Sequence, residues 1–148
     1  MKRVLVLCLG NICRSPIGEE LIRLQGIKNN FPLEVDSAGT IDWHAGKAPD
    51  PRSQAVMRTR GLNISDQQSR QLMVSDFNHF DIILCMDRQN LIDAKRIAQG
   101  PAELHLFVEG MDVPDPYYVG ETGFEQVYTM LEKASREWIE QWSKKTNS

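Results

Sequence analysis

Four continuous apolar runs punctuate the chain: Val4–Leu7, Leu33–Val35, Asp81–Met86 (through Ile82-Ile83-Leu84-Cys85-Met86) and Leu104–Val108. Runs of this length without a polar alternation suit parallel strands covered on both faces. Between them the apolar spacing changes to three and four. Ile17, Leu21 and Leu24 mark one face of a first helix, opened by Pro16 and stopping near Gly26. Asp50-Pro51 reads as an N-cap with proline at the first helical position, starting a helix through about Arg60 that Gly61 closes. A third helix is expected from about Arg88 to Ala98, ahead of Gly100-Pro101. The last begins at Thr122-Gly123-Phe124-Glu125, a capping-box spacing, and carries Phe124, Val127, Tyr128, Leu131, Trp138, Ile139 and Trp142 mostly on one 3.6-period face. Those aromatics read as core. The alternation predicts an α/β fold: a single doubly wound domain over 1–148, with about four parallel strands and helices on both faces. There is no repeat, low-complexity segment or linker, and Lys144 to Ser148 read as a frayed tail.

Composition narrows the class. At 148 residues, 41% hydrophobic and 25% charged, the chain has the make-up of one soluble domain with a proper core. A net charge of −3 argues against nucleic acid as a partner. Three cysteines make no disulfide framework, and neither CxxC nor a cysteine–histidine spacing typical of zinc occurs. We therefore expect no metal and no cofactor. Met1-Lys2-Arg3 and the apolar run after it faintly imitate a signal peptide, but Asn11 to Arg14 interrupt it. No run is long enough to span a bilayer, so the expected home is a reducing cytoplasm.

The chemistry sits at the end of the first run. Cys8-Leu9-Gly10-Asn11-Ile12-Cys13-Arg14-Ser15-Pro16 joins a strand to a helix, and ligands of doubly wound sheets bind beyond the carboxyl ends of the strands. A helix N-terminus offers backbone N–H groups and a positive dipole end to an anion. A loop from Cys8 to Arg14 can wrap its amides around a tetrahedral oxyanion while the arginine fork grips two of its oxygens. Positive surroundings favour a thiolate nucleophile at Cys8. Gly10 permits a tight backbone, and Ser15 can hydrogen-bond the thiolate or cap the helix. Cys8 and Arg14 taken alone are compatible with an inert buried cysteine; the strand–loop–helix setting reads as a cysteine-dependent phosphatase.

The nine residues C-L-G-N-I-C-R-S-P resemble the signature of the low-molecular-weight protein tyrosine phosphatases, and the resemblance runs from about Arg3 to Trp142. It implies the following. Cys8 is the nucleophile, Arg14 the phosphate clamp, and the loop from Leu9 through Gly10, Asn11, Ile12 and Cys13 to Ser15 the substrate cradle. A phenolate leaving group needs a general acid. Asp115, in Val113-Pro114-Asp115-Pro116-Tyr117-Tyr118, is a candidate on a proline-stiffened loop, and Asp112 is its equal on composition alone. D-P-Y-Y resembles the family's second hallmark, which selects Asp115 and leaves Asp112 a solvated carboxylate. Tyr117, Tyr118 and Trp43 (in Asp42-Trp43) would wall the cleft, with Leu9 and Ile12 against the ring. Ser37, in Val35-Asp36-Ser37-Ala38-Gly39, would bond Asn11, whose tolerance of left-handed geometry would keep the loop cupped. Asp87, in the shared C-M-D, would support the site; capping the next helix is an equal reading.

Many relatives carry a histidine before Arg70, tied to the loop asparagine. Gln67-Gln68-Ser69 stands here instead, able to make one such bond but unable to titrate. His44, His79 and His105 read as surface or packing residues. Cys13 resembles the family's second loop cysteine, able to form a disulfide with the nucleophile and protect it from over-oxidation. The implied partners are phosphotyrosine-containing proteins, with inorganic phosphate as product, no nucleic acid, no membrane and a monomer by default.

Three rivals fare less well. An arsenate reductase needs a relay of further thiols, and only Cys85 lies beyond the loop. Phosphoarginine phosphatases tend to carry threonine where Ile12 stands. A non-catalytic phosphopeptide-binding module is expected to lose Cys8 or Asp115, and both are present.

Overall fold

The structure is a computed structural model that describes residues 1–146. Its elements are β1 (Lys2–Cys8), α1 (Arg14–Lys28), β2 (Leu33–Gly39), α2 (Pro51–Arg58), α3 (Asp76–His79), β3 (Ile82–Cys85), α4 (Arg88–Ile97), β4 (Glu103–Leu106), a 3₁₀ turn at Pro116–Tyr118, and α5 (Glu121–Thr146). The strands form one parallel sheet in the order β2-β1-β3-β4. The chain leaves β1 for one neighbour and returns on its other side. The carboxyl end of β1, where Cys8 stands, is thus the switch point at which such sheets open a crevice.

Strand periodicity divides the core in two. Val4, Val6, Cys8, Ile82, Leu84 and Met86 face the cluster that holds Ile17, Leu21 and Ile22 of α1 and Phe124, Val127, Leu131, Ile139 and Trp142 of α5. Leu5, Leu7, Ile83 and Cys85 face the opposite cluster, with Phe77, Phe80 and Ala94. Successive side chains of a strand point to opposite faces, so a run that is apolar throughout needs cover on both. Each fully buried Leu, Ile or Phe contributes about 1.5–3 kcal/mol, and β1 and β3 are the best-covered strands. Helices on both faces are thereby established.

Element boundaries differ from expectation where polar residues are buried. β2 runs on from Val35 through Asp36 and Ser37 to Gly39, because Ser37 finds a buried acceptor in Glu19 at 2.7 Å. α1 passes through Gly26 to Lys28, and Phe31 N–H donates to Gly26 O just beyond its end. α2 matches its signals: Asp50 accepts from Arg52 N at 2.8 Å, Pro51 is first in the helix, and Gly61 has φ +75°. The Thr122–Glu125 capping box does not form. Both residues lie inside α5, and the Glu125 carboxylate pairs instead with Arg60 at 2.6 Å. The single turn of α3 and the 3₁₀ turn have no apolar period to announce them. Lys144 to Thr146, expected to fray, continue α5, with Lys144 paired to Glu140 at 3.0 Å; Asn147 and Ser148 of that tail lie outside the described residues. Among the described residues no helix is long and apolar enough to cross a membrane.

Candidate active site

Immediately after β1 the backbone turns sharply through Asn11, whose φ of 59° lies in the left-handed region that asparagine tolerates. The turn is fastened from outside. Leu9 O accepts from Ile41 N at 3.0 Å, Ile12 O from Asp50 N at 2.8 Å, and Cys13 O from Ser53 Oγ at 3.0 Å. In a trans peptide the N–H points opposite to the C=O. Those bonds therefore turn the N–H groups of Gly10, Cys13 and Arg14 away from Ile41, Asp50 and Ser53, into the bowl. Asn11 N–H donates to Cys8 Sγ at 3.3 Å. Close approach of β2 is part of the construction: a Cβ on Gly39 would lie 2.7 Å from Leu9 O and 3.0 Å from Asn11 N.

A directed hydrogen-bond chain lies behind the bowl. Arg70 N–H donates to Asn11 Oδ1 at 3.0 Å, which fixes the amide orientation. Asn11 Nδ2 then donates to Ser15 Oγ at 2.7 Å and to Ser37 Oγ at 2.9 Å. Ser37 in turn donates to Glu19 Oε1 at 2.7 Å, and Ser15 Oγ lies at hydrogen-bond distance, 3.0 Å, from Cys8 Sγ. Burial pushes the Glu19 carboxyl above the ordinary carboxylate range, against the pull of Arg23 and Ser37.

Arg14 opens α1 and is only 2% exposed. Its Nη1 donates to Asp87 Oδ2 at 2.7 Å and to Val113 O at 2.9 Å, which aims the guanidinium. Burial would lower its pKa, but Cys8 and Asp87 outweigh that and hold it above the usual arginine value. The other oxygen of Asp87, Oδ1, caps α4 by accepting from Asn90 N at 2.8 Å. Asp115 approaches the other terminal nitrogen of Arg14. Its Oδ2 lies 3.8 Å from Arg14 Nη2, and its Oδ1 accepts from Tyr117 N at 3.1 Å. Asp112 points elsewhere, accepting from Arg88 N and pairing with the Arg88 guanidinium at 3.1 Å, so it is not simply a solvated carboxylate.

Cys8, Leu9, Gly10, Ile12, Cys13, Arg14, Trp43, Asp115, Tyr117 and Tyr118 line one cleft of about 240 Å3. Trp43 and Tyr118 stand 77% and 89% exposed at its mouth. Asn11, Ser15 and Ser37 do not line it; they are buried behind the loop and shape it. Two lining residues carried no sequence signal. Ile41 follows β2, and half-buried His44, expected as surface or packing, also faces the cleft, its carbonyl accepting from Ser69 Oγ. Gln67, in the Gln67-Gln68-Ser69 stretch before Arg70, does not reach Asn11: its Nε2 donates to Pro16 O at 3.0 Å and its Oε1 is buried without a partner. Burial pushes the Cys13 thiol well up, with help from Asp50 and Cys8, and pushes Cys85 up to about 12. No disulfide joins any of the three cysteines. No three His, Cys, Asp or Glu side chains among the described residues gather as a metal site requires.

Comparison with known proteins identifies the family. Residues 3–148 match the model of the low molecular weight phosphotyrosine protein phosphatases. The chain belongs to that family. Among its relatives, the Sus scrofa low molecular weight phosphotyrosine protein phosphatase is 37% identical, covering 94% of each chain. The Schizosaccharomyces pombe protein of the same name is 40% identical over 93% of this chain and 94% of its own. A crystal structure of the protein tyrosine phosphatase from Entamoeba histolytica, with Hepes in its active site, superposes with a TM-score of 0.92 at 33% identity, covering 99% of both chains. As a low molecular weight protein-tyrosine-phosphatase, the chain is an enzyme, a hydrolase built on the parallel α/β sheet described above.

Proposed function

We propose that the phosphatase hydrolyses phosphotyrosine in proteins through a cysteinyl-phosphate intermediate. The reading is carried by one observation: Cys8, the aimed Arg14 guanidinium and the Asp115 carboxylate converge on one cleft, with Asp115 3.8 Å from Arg14. In the first step the Cys8 thiolate attacks phosphorus. The Arg14 fork and the inward-turned loop amides hold the equatorial oxygens, where negative charge concentrates. Asp115 donates its proton to the departing tyrosyl oxygen as the P–O bond breaks. In the second step Asp115, now a carboxylate, takes a proton from water as that water attacks the thiophosphate bond. Phosphate leaves and the thiolate returns. With Cys8 as thiolate, Ser15 Oγ at 3.0 Å becomes the donor to Sγ and stabilises its charge. Leu9, Ile12, Trp43, Tyr117 and Tyr118 make an apolar slot for a flat ring above a phosphate-sized bowl, which suits phosphotyrosine over the shorter phosphoserine.

The same reading places the enzyme in a reducing cytoplasm as a monomer that uses neither metal nor cofactor. Under peroxide, Cys8 would be oxidised to the sulfenic acid, and the Cys13 thiol would condense with it to a disulfide, releasing water. The test is hydrolysis of phosphotyrosyl, phosphoseryl and phosphoarginyl peptides in EDTA, with Cys8→Ser as control. Phosphate released from the phosphotyrosyl peptide alone, and lost in the variant, is the expected result. Equal release from all three, or release by the variant, overturns it.

A further inference from the structure

Between the two halves of the site stands Arg52, which neither the sequence pattern nor the mechanism above uses. Its own segment is fastened to the phosphate-binding loop. Asp50 N–H donates to Ile12 O at 2.8 Å and Ser53 Oγ to Cys13 O at 3.0 Å, so the start of α2 cannot shift without the loop. The Asp50 carboxylate holds one edge of the Arg52 guanidinium, accepting from Nε at 3.0 Å and from Nη2 at 2.9 Å. This pairing leaves Nη1 to reach the other loop, where it donates to Tyr117 O at 3.0 Å. The guanidinium also lies over two rings, 4.7 Å from the centre of Phe124 and 5.4 Å from that of Tyr117.

The bond to Tyr117 bears directly on Asp115. The Asp115 carboxylate accepts from the N–H of the same Tyr117 whose carbonyl Arg52 holds. Fixing that residue therefore fixes the turn from which Asp115 reaches over Arg14. We infer that Arg52 is a positioning residue: a strut from the phosphate-binding loop to the acid-bearing turn that keeps Asp115 at the height of the leaving-group oxygen. The inference rests on the assignment of Asp115 as general acid. A bidentate, planar arginine suits the post, because one face of the fork meets Asp50 while another nitrogen is left for the carbonyl. Lysine has a single ammonium and can serve one partner well but not both.

The test uses leaving groups. If Arg52 acts through Asp115, its loss matters most where the departing phenolate most needs a proton. We would measure kcat/KM for p-nitrophenyl phosphate, whose leaving group needs little protonation, and for phenyl phosphate, whose leaving group needs much. The variants are Arg52→Gln, Arg52→Lys, Asp115→Asn and the double variant Arg52→Gln/Asp115→Asn. Inhibition by inorganic phosphate, kept within about threefold of wild type, reports an intact bowl. Arg52→Gln should lose about tenfold more on phenyl phosphate than on p-nitrophenyl phosphate, with Arg52→Lys between it and wild type. Asp115→Asn should show the same skew more strongly, and the double variant should be no worse than Asp115→Asn, since one residue acts through the other. Equal losses on both substrates for Arg52→Gln, or a double variant whose loss is the product of the two single losses, would overturn the strut while leaving Asp115 in place. Loss of phosphate inhibition in both Arg52 variants would also overturn it, assigning Arg52 to the bowl instead. No skew in Asp115→Asn would overturn the acid assignment, and the strut with it.

Discussion

The loop from Cys8 to Arg14 is fastened at nearly every residue, whereas the segment from Met111 to Tyr118 stands largely in solvent and is held at a few points. In the first, Leu9 is the one clearly exposed side chain; its carbonyls are bonded from outside, and Asn11 anchors it to β2 and to Arg70 N–H. In the second, Val113 and Pro116 are buried, and the ties include Val113 N–H to Met86 O, Arg14 to Val113 O, Arg88 to the Asp112 carboxylate and Arg52 to Tyr117 O. The difference follows the chemistry. A phosphoryl group has a fixed size and charge, so its donors are worth most when they need no reorganisation during reaction. On the proposed mechanism the acid must meet a leaving group attached to a protein, let that product depart, and then act on water, so its segment stands open to solvent. One loop is a mould and the other an arm.

The sharpest way to break that contrast is Cys8→Ser, which should eliminate measurable turnover while leaving phosphate binding by the bowl intact; residual turnover near wild type would remove the mould's central part. Asp115→Asn comes next, slowing kcat by about 10² to 10⁴ with little change in thermal unfolding, because the arm carries chemistry and not the core. Gly39→Ala tests the rigid side: with a Cβ 2.7 Å from Leu9 O, strain of about 1–3 kcal/mol should lower the melting temperature and weaken phosphate inhibition together. Thiol chemistry separates the three cysteines. Burial raises the pKa of Cys13 and of Cys85, the latter to about 12, so both stay protonated at neutral pH. Iodoacetate at pH 7 should therefore label Cys8 alone, read by peptide mass spectrometry, and phosphate should protect it. The smallest effect is expected at the far end of the arm. Tyr118→Ala removes an 89%-exposed ring, so stability should move by less than about 0.5 kcal/mol, and the change should appear in KM for peptides more than in kcat.

Legibility followed the same divide. β1, β3, α2 and α4 were readable because continuous apolar runs and a proline or acidic start leave a local record. The loop was readable because its chemistry is contiguous: Cys8, Asn11, Arg14 and Ser15 fall within eight residues. The expected bond from Asn11 to Ser37 is present at 2.9 Å. What failed depended on distant partners. The strand character of Asp36-Ser37 needs Glu19, the fate of Glu125 needs Arg60, and His44 faces the cleft only because the segment after β2 folds back over Gly10. Arg52 left no trace in the pattern, since its target is a backbone carbonyl 65 residues away, and any residue supplies one of those. Of the stretch Gln67-Gln68-Ser69, expected to offer Asn11 one bond, Gln67 turns to Pro16 O instead, and Arg70 N–H holds Asn11.

The central claim is that phosphate passes through Cys8. Rapid acid quench of the enzyme during turnover of a phosphotyrosyl peptide, followed by mass spectrometry, tests it directly. The account predicts a single phosphate on the peptide containing Cys8, formed no slower than inorganic phosphate appears and absent in Cys8→Ser. Phosphate on another residue, or turnover with no phosphoenzyme formed at a competent rate, would contradict it.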